Sequence, residues 1–101
     1  MNRLYVITRN DIPYGNQMAQ AGHGIAEYFK RHKESAYIWN NEYLICLQSN
    51  NLKNIIKQLK EIEHPFAYFR EPDMRNEITS ISFVGNELTK KITENLKLSL
   101  Q

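Results

Sequence analysis

Cysteine is nearly absent: Cys46 stands alone in the chain, which excludes an internal disulfide and fits a reducing cytoplasm. It lies in the apolar run Tyr43-Leu44-Ile45-Cys46-Leu47, so burial is its expected role, ahead of nucleophilic attack. No apolar run approaches the roughly 18 residues that a membrane helix needs. Charged Arg3, Arg9 and Asp11 interrupt the N-terminal apolar residues, so a signal-peptide pattern is missing as well. These absences lead to the expectation of a soluble cytoplasmic protein with no membrane contact. Net charge is also small, with 13 Lys and Arg against 11 Asp and Glu. That balance permits a nucleic-acid partner without arguing for one. No internal repeat, low-complexity linker or Ser/His/Asp or Cys/His triad is recognisable.

What is present reads as one domain over residues 1–101, long enough to fold without disulfides or metals. Residues 3–8 are β-branched and aromatic enough for a first strand. The turn Asp11-Ile12-Pro13-Tyr14-Gly15 follows, then a helix over about 16–33 on the spacing of Met18, Ala21, Ile25, Tyr28 and Phe29. Residues 43–48 read as a second strand, and Asn50 or Asn51 as the cap of a helix through about Glu61. Residues 65–70 suggest a third strand. Residues 78–84 suggest a fourth, with Ile78, Ser80, Ser82 and Val84 on one face and Thr79, Ile81 and Phe83 on the other. Residues 86–98 read as a closing helix with Leu88, Ile92 and Leu96 on one side, and Ser35 to Asn41 as a polar linker holding Trp39. Strands alternating with helices predict a three-layer α/β/α sandwich around a four-stranded mixed sheet. Ligands of such folds usually sit beyond the carboxyl ends of the strands.

The segment in that position is RNDIPYGNQMAQAGHG, Arg9 to Gly24. At 100° per residue Asn16, Gln20, His23 and Glu27 share one stripe, opposite Met18, Ala21 and Ile25. This stripe reads either as a solvated face or as the edge of a site. The small residues Ala19, Ala21, Gly22, Gly24 and Ala26 suit the close approach of another backbone. Neutral amides near a helix start leave its N–H groups free for an anion or oxyanion. His23 and Glu27 lack an identifiable third ligand, so no metal is expected.

The run Arg9-x-Asp11-(x)3-Gly15-(x)3-Ala19-Gln20-x-Gly22-His23 resembles the N-terminal signature of type 2 peptidyl-tRNA hydrolases. A second block, Glu71-Pro72-Asp73 through Glu77, Thr79 and the strand ending at Gly85, resembles the later segment of that family. The resemblance implies a cytoplasmic esterase that cuts the bond between a peptide and the 3′ ribose of tRNA. It further implies a compact α/β sandwich, a homodimer, and no metal or organic cofactor. Gln20, His23, Asp73 and Thr79 match the positions implied to be catalytic. The family typically carries a longer turn with a lysine linked to activity, whereas Pro13-Tyr14-Gly15-Asn16-Gln17 here contains none.

Ester hydrolysis needs a positioned water, an acceptor for its proton, and donors for the oxyanion. Asp73 or His23 would serve as base, and Gln20, Asn16 and helix N–H groups as donors. Thr79 would orient the water, with Arg9, Asp11, Tyr14 and Gln17 lining the substrate site. Arg9 and Asp11 read equally as an ion pair that fixes the turn. Lys30, Arg31 and Lys33 would contact tRNA phosphates; Lys53, Lys57 and Lys60 form a second basic stripe. Two alternatives to peptidyl-tRNA hydrolysis are a non-catalytic relative that binds tRNA or a protein, and an enzyme for another acyl or nucleotide substrate.

Overall fold

The computed structural model describes residues 2–101. One five-stranded mixed sheet organises them, in the order β3-β4-β1-β2-β5. The central strand β1 (Arg3–Arg9) pairs parallel with β2 (Tyr43–Ser49) and antiparallel with β4 (Glu77–Val84). Strand β3 (Ala67–Glu71) lies antiparallel on β4, and the short β5 (Lys97–Leu98) antiparallel on β2. A parallel pair needs a crossover, and α1 (Tyr14–Arg31) with α2 (Lys33–Trp39) supplies it between β1 and β2.

Strand β1 is covered on both faces, which explains its continuous apolar run. Its period of two divides the core. Leu4 joins Tyr28, Ala36, Trp39 and Ala67, whereas Ile7 joins Leu47, Leu52, Ile55, Leu59, Ile81, Phe83 and Ile92. Helix α3 (Leu52–Glu61) supplies three residues of the second cluster. Ile7, Leu59, Ile81 and Phe83 are fully buried, each contributing about 1.5–3 kcal/mol of transfer free energy. Asn51 caps α3 by accepting from the Asn54 N–H at 3.1 Å.

Several boundaries differ from the sequence expectations. The first helix begins at Tyr14 and stops at Arg31, where His32 leaves helical geometry and its ring Nε2 donates to the Phe66 carbonyl at 2.8 Å. The segment expected as a linker is helix α2, which buries Ala36 and Trp39 at i and i+3. The expected closing helix over 86–98 is broken. Asn86 accepts from the Leu88 and Thr89 N–H groups, and Thr89 Oγ1 accepts from the Asn86 N–H. This capping box tightens residues 87–89 into a 3-10 turn, and only Lys90–Thr93 (α4) stays α-helical. Leu88 points outward, 63% exposed. The last residues are drawn instead to the open edge of β2 as a fifth strand. There Gln48 Nε2 donates to the Leu98 and Gln101 carbonyls at 2.7 and 2.9 Å, and the Ser99 N–H donates to the Cys46 carbonyl at 2.9 Å. No helix among the described residues is long and apolar enough to cross a membrane.

Candidate functional site

The ends of β1, β2 and β3 and the start of β4 share one edge of the sheet, as the registers Arg9↔Ser49 and Glu71↔Glu77 require. Helix α1 leaves this edge with an unusual inner face. Gln17, Gln20, Gly24 and Tyr28 are buried, while Met18 is 64% exposed. The expected faces are therefore mixed: Gln17 and Gln20 face the sheet beside Tyr28 and Ile25, Met18 faces outward, and Asn16 and His23 stay exposed. Among the small residues, only Gly24 is buried against the sheet. A Cβ there would lie 2.7 Å from Ser80 Oγ, whereas one on Gly22 would meet nothing.

A β-bulge explains how polar groups meet α1. Phe69 pairs with Ser80, but Arg70 pairs with Ile78, so Thr79 has no partner across the β3–β4 ladder. An extra residue in one strand re-aims the side chains around it. Thr79, expected to share a face with Ile81 and Phe83, turns instead toward α1. Its hydroxyl donates to Gln20 Oε1 at 2.7 Å, in a fully buried position. Gln20 Nε2 donates in turn to Glu71 Oε1 at 2.9 Å. With both ends engaged, the amide has one orientation and one remaining N–H. Gln17 is buried too, donating to the Ile12 carbonyl at 2.9 Å, while its Oε1, Thr8 Oγ1 and Ser80 Oγ have no protein partner.

Arg9 organises the neighbouring corner. Its Nε and Nη2 donate to the two oxygens of Asp11 at 2.9 and 2.6 Å, and Nη1 donates to Glu77. The hydrogen bonds from Arg9 hold the Asp11 carboxyl below the usual carboxylate range, and they raise the already high pKa of Arg9. Glu77 needs this partner because it stands directly opposite Glu71 in the ladder, a like-charge pair that destabilises a sheet when uncompensated. Arg9 answers one carboxylate and Gln20 the other.

The remaining expected residues are dispersed. His23 is exposed, with its ring stacked on Phe69 at a centroid distance of 4.3 Å and 14° between planes. Asp73 sits exposed on the 3-10 turn Pro72–Met74 and makes no side-chain hydrogen bond among the described residues. Tyr14 and Asn16 are exposed in the first turn of α1. Lys30 and Arg31 both face Glu27, at 3.5 and 3.3 Å, and Lys33 begins α2. No three His, Cys, Asp or Glu side chains are grouped to hold a metal ion among the described residues. Glu71 was not foreseen. Its sequence signal is weak, a carboxylate before proline, and only the fold brings it to Gln20.

Beyond β1 and β2 lies a cleft of about 660 Å³. It is walled by Arg9–Asp11, by the β2–α3 junction from Ser49 to Lys53, and by the β3–β4 turn with Arg70 and Arg75.

No family model matches the chain, and no curated protein matches it. Among matching solved structures is that of a protein of unknown function from Agrobacterium tumefaciens strain C58, 13% identical. The match has a TM-score of 0.70 and covers 96% of each chain, which shows a shared fold.

Proposed function

We propose that the chain hydrolyses the ester of peptidyl-tRNA at the edge where α1 meets β3 and β4. The carrying observation is the amide of Gln20, fixed between Thr79 and Glu71 with one N–H unspent. In this reading that N–H donates to the developing oxyanion, and Glu71 accepts a proton from the attacking water. The water oxygen bonds to the acyl carbon, the bond to the 3′ ribose oxygen breaks, and the proton is delivered to that leaving oxygen. Thr79 is a positioning residue, since it acts through Gln20. His23, flat on Phe69, and Tyr14 and Asn16 at the start of α1 flank the acyl group, with Asp73 as a second acceptor on the neighbouring turn. The resemblance to type 2 peptidyl-tRNA hydrolases in the α1 signature supports the choice of substrate. The two core clusters on either side of β1 support the three-layer α/β/α arrangement of that family. A cytoplasmic homodimer belongs to the same reading.

A second reading has its own observation. The family's lysine is missing, and Arg9, the cation that opens the signature, is committed to two carboxylates. That commitment favours a non-catalytic relative that binds tRNA or a protein without turnover.

Release of peptide from peptidyl-tRNA separates the two readings, using the intact protein beside Gln20→Ala, Glu71→Gln and Asp73→Asn. A lost oxyanion donor lowers kcat by about 10²–10³ and a lost base by about 10²–10⁴. Turnover reduced on these scales in the Gln20 and Glu71 variants, with each variant folded by circular dichroism, supports hydrolysis. Absence of turnover in the intact protein refutes it.

A further inference from the structure

The cleft beyond β1 and β2 is separate in chemistry from the Gln20 amide. Four cationic side chains line it, Arg9, Lys53, Arg70 and Arg75, against two carboxylates, Asp11 and Glu77. Both carboxylates are already bound to Arg9. Among the described residues no carboxylate pairs with Lys53, Arg70 or Arg75, so three cations without an ionic partner line one concavity whose net charge is positive. At about 660 Å³ the cleft falls within the size range of small-molecule sites.

One of those cations is held in place by its side chain, and a second by an unusual backbone. Arg70 lies over the Tyr68 ring, 5.3 Å from its centroid, and its Nη1 donates to the Asn76 carbonyl at 3.2 Å. These neutral partners orient the guanidinium and leave its charge and other N–H groups available. Arg75 and Asn76 are consecutive left-handed residues, with φ of 56° and 59°. Asn tolerates that conformation, but Arg seldom adopts it, and such backbone strain concentrates at binding sites. This turn places Arg75 in the lining of the same cleft as Lys53. By contrast, Lys30 and Arg31 at the end of α1 both spend charge on Glu27.

We infer that this cleft binds a phosphate group of a nucleotide, with Arg70, Arg75 and Lys53 as its cations. The inference rests on the peptidyl-tRNA reading only for its RNA probe. The same chemistry is offered by a free mononucleotide and by the phosphodiesters at an RNA 3′ end.

The test is equilibrium binding of the full chain to AMP and to a short CCA-ended RNA with a free 3′ hydroxyl and no acyl group, at about 50 and 200 mM salt. Because neither probe carries an acyl ester, the result is independent of whether Gln20 supports catalysis. Arg70→Gln/Arg75→Gln is expected to weaken binding about tenfold or more and to lower the salt slope by about one for each cation removed from a phosphate. Lys53→Gln, on a different element, should weaken it in the same sense. Lys90→Gln/Lys91→Gln, exposed on α4 and outside the cleft, should leave it near the intact value. Tighter binding of RNA than of AMP assigns the site to an RNA end; equal binding assigns it to a mononucleotide. The inference is overturned if neither probe binds, or if the Arg70/Arg75 and Lys53 variants, folded by circular dichroism, bind like the intact protein.

Discussion

Two glycines of α1, two positions apart, should respond to alanine with opposite signs. In a helix interior Gly is about 1 kcal/mol less favourable than Ala, so substitution alone should stabilise. At Gly22 that gain is unopposed, because a Cβ meets nothing within 4 Å. At Gly24 a Cβ would lie 2.7 Å from Ser80 Oγ, 3.1 Å from Ser80 Cβ and 3.2 Å from Val6 Cγ2. Ser80 is paired to Thr8 on one side and to Phe69 on the other, so its backbone cannot retreat. Val6 belongs to the central strand and is fully buried. Overpacking at such a place costs about 1–3 kcal/mol, which exceeds the helix gain and leaves a net loss near 1 kcal/mol. For a domain of this size, 1 kcal/mol moves Tm by about 4–8 °C. Thermal unfolding should therefore show Gly22→Ala above the parent by that amount and Gly24→Ala below it by a similar amount. In a Ser80→Ala background the nearest clashing atom is gone and Gly24→Ala should destabilise less. A rise in Tm for Gly24→Ala equal to that for Gly22→Ala would refute the close approach of α1 to β1 and β4.

The Asp11 carboxyl, depressed by Arg9, adds stability that is complete above about pH 4 and is lost as pH falls through its lower folded value. Asp11 is largely exposed, so Asp11→Asn should lower stability at neutral pH by less than about 1 kcal/mol, a difference that shrinks in urea titrations near pH 2. Burial raises the Cys46 thiol. A thiol reagent at about pH 8 should thus label the folded protein roughly tenfold or more slowly than the urea-unfolded chain, and equal rates would contradict its half-buried position.

Elements with a strong local pattern were readable: β1, β2 and α3 follow from alternation, apolar runs and the Asn51 cap. The failures have identifiable causes. The spacing of α1 predicts the helix and the burial of Tyr28 but misplaces Gln20 and Met18, because hydrophobicity alone assigns amides to solvent. Here Gln17 and Gln20 find buried partners at the Ile12 carbonyl, Thr79 and Glu71. Thr79 was assigned to the wrong face because strict alternation contains no bulge, and a bulge is set by pairing with β3, not by β4 itself. The C-terminal helix failed because Asn86 and Thr89 close a short turn, after which the vacant edge of β2 competes for the remaining backbone. Gln20 stands out through the resemblance of its signature to a family, while the contact of Glu71 with Gln20 and the shared cleft of Arg70 and Arg75 depend on the pairing of β3 with β4.

Strand β5 and Ser99 cover the outer edge of β2 from Cys46 to Gln48, and Tyr43 and Leu44 stay about half exposed beside it. A tethered strand competes for that edge at an effective concentration in the millimolar range, so a second molecule displaces it only when crowded to similar levels. Residues 97–101 thus occupy backbone groups that edge-to-edge strand addition would need. A fusion or truncation that disturbs them would convert β2 into a template for strand addition, and self-association would then rise steeply with protein concentration while the α1 face was left untouched.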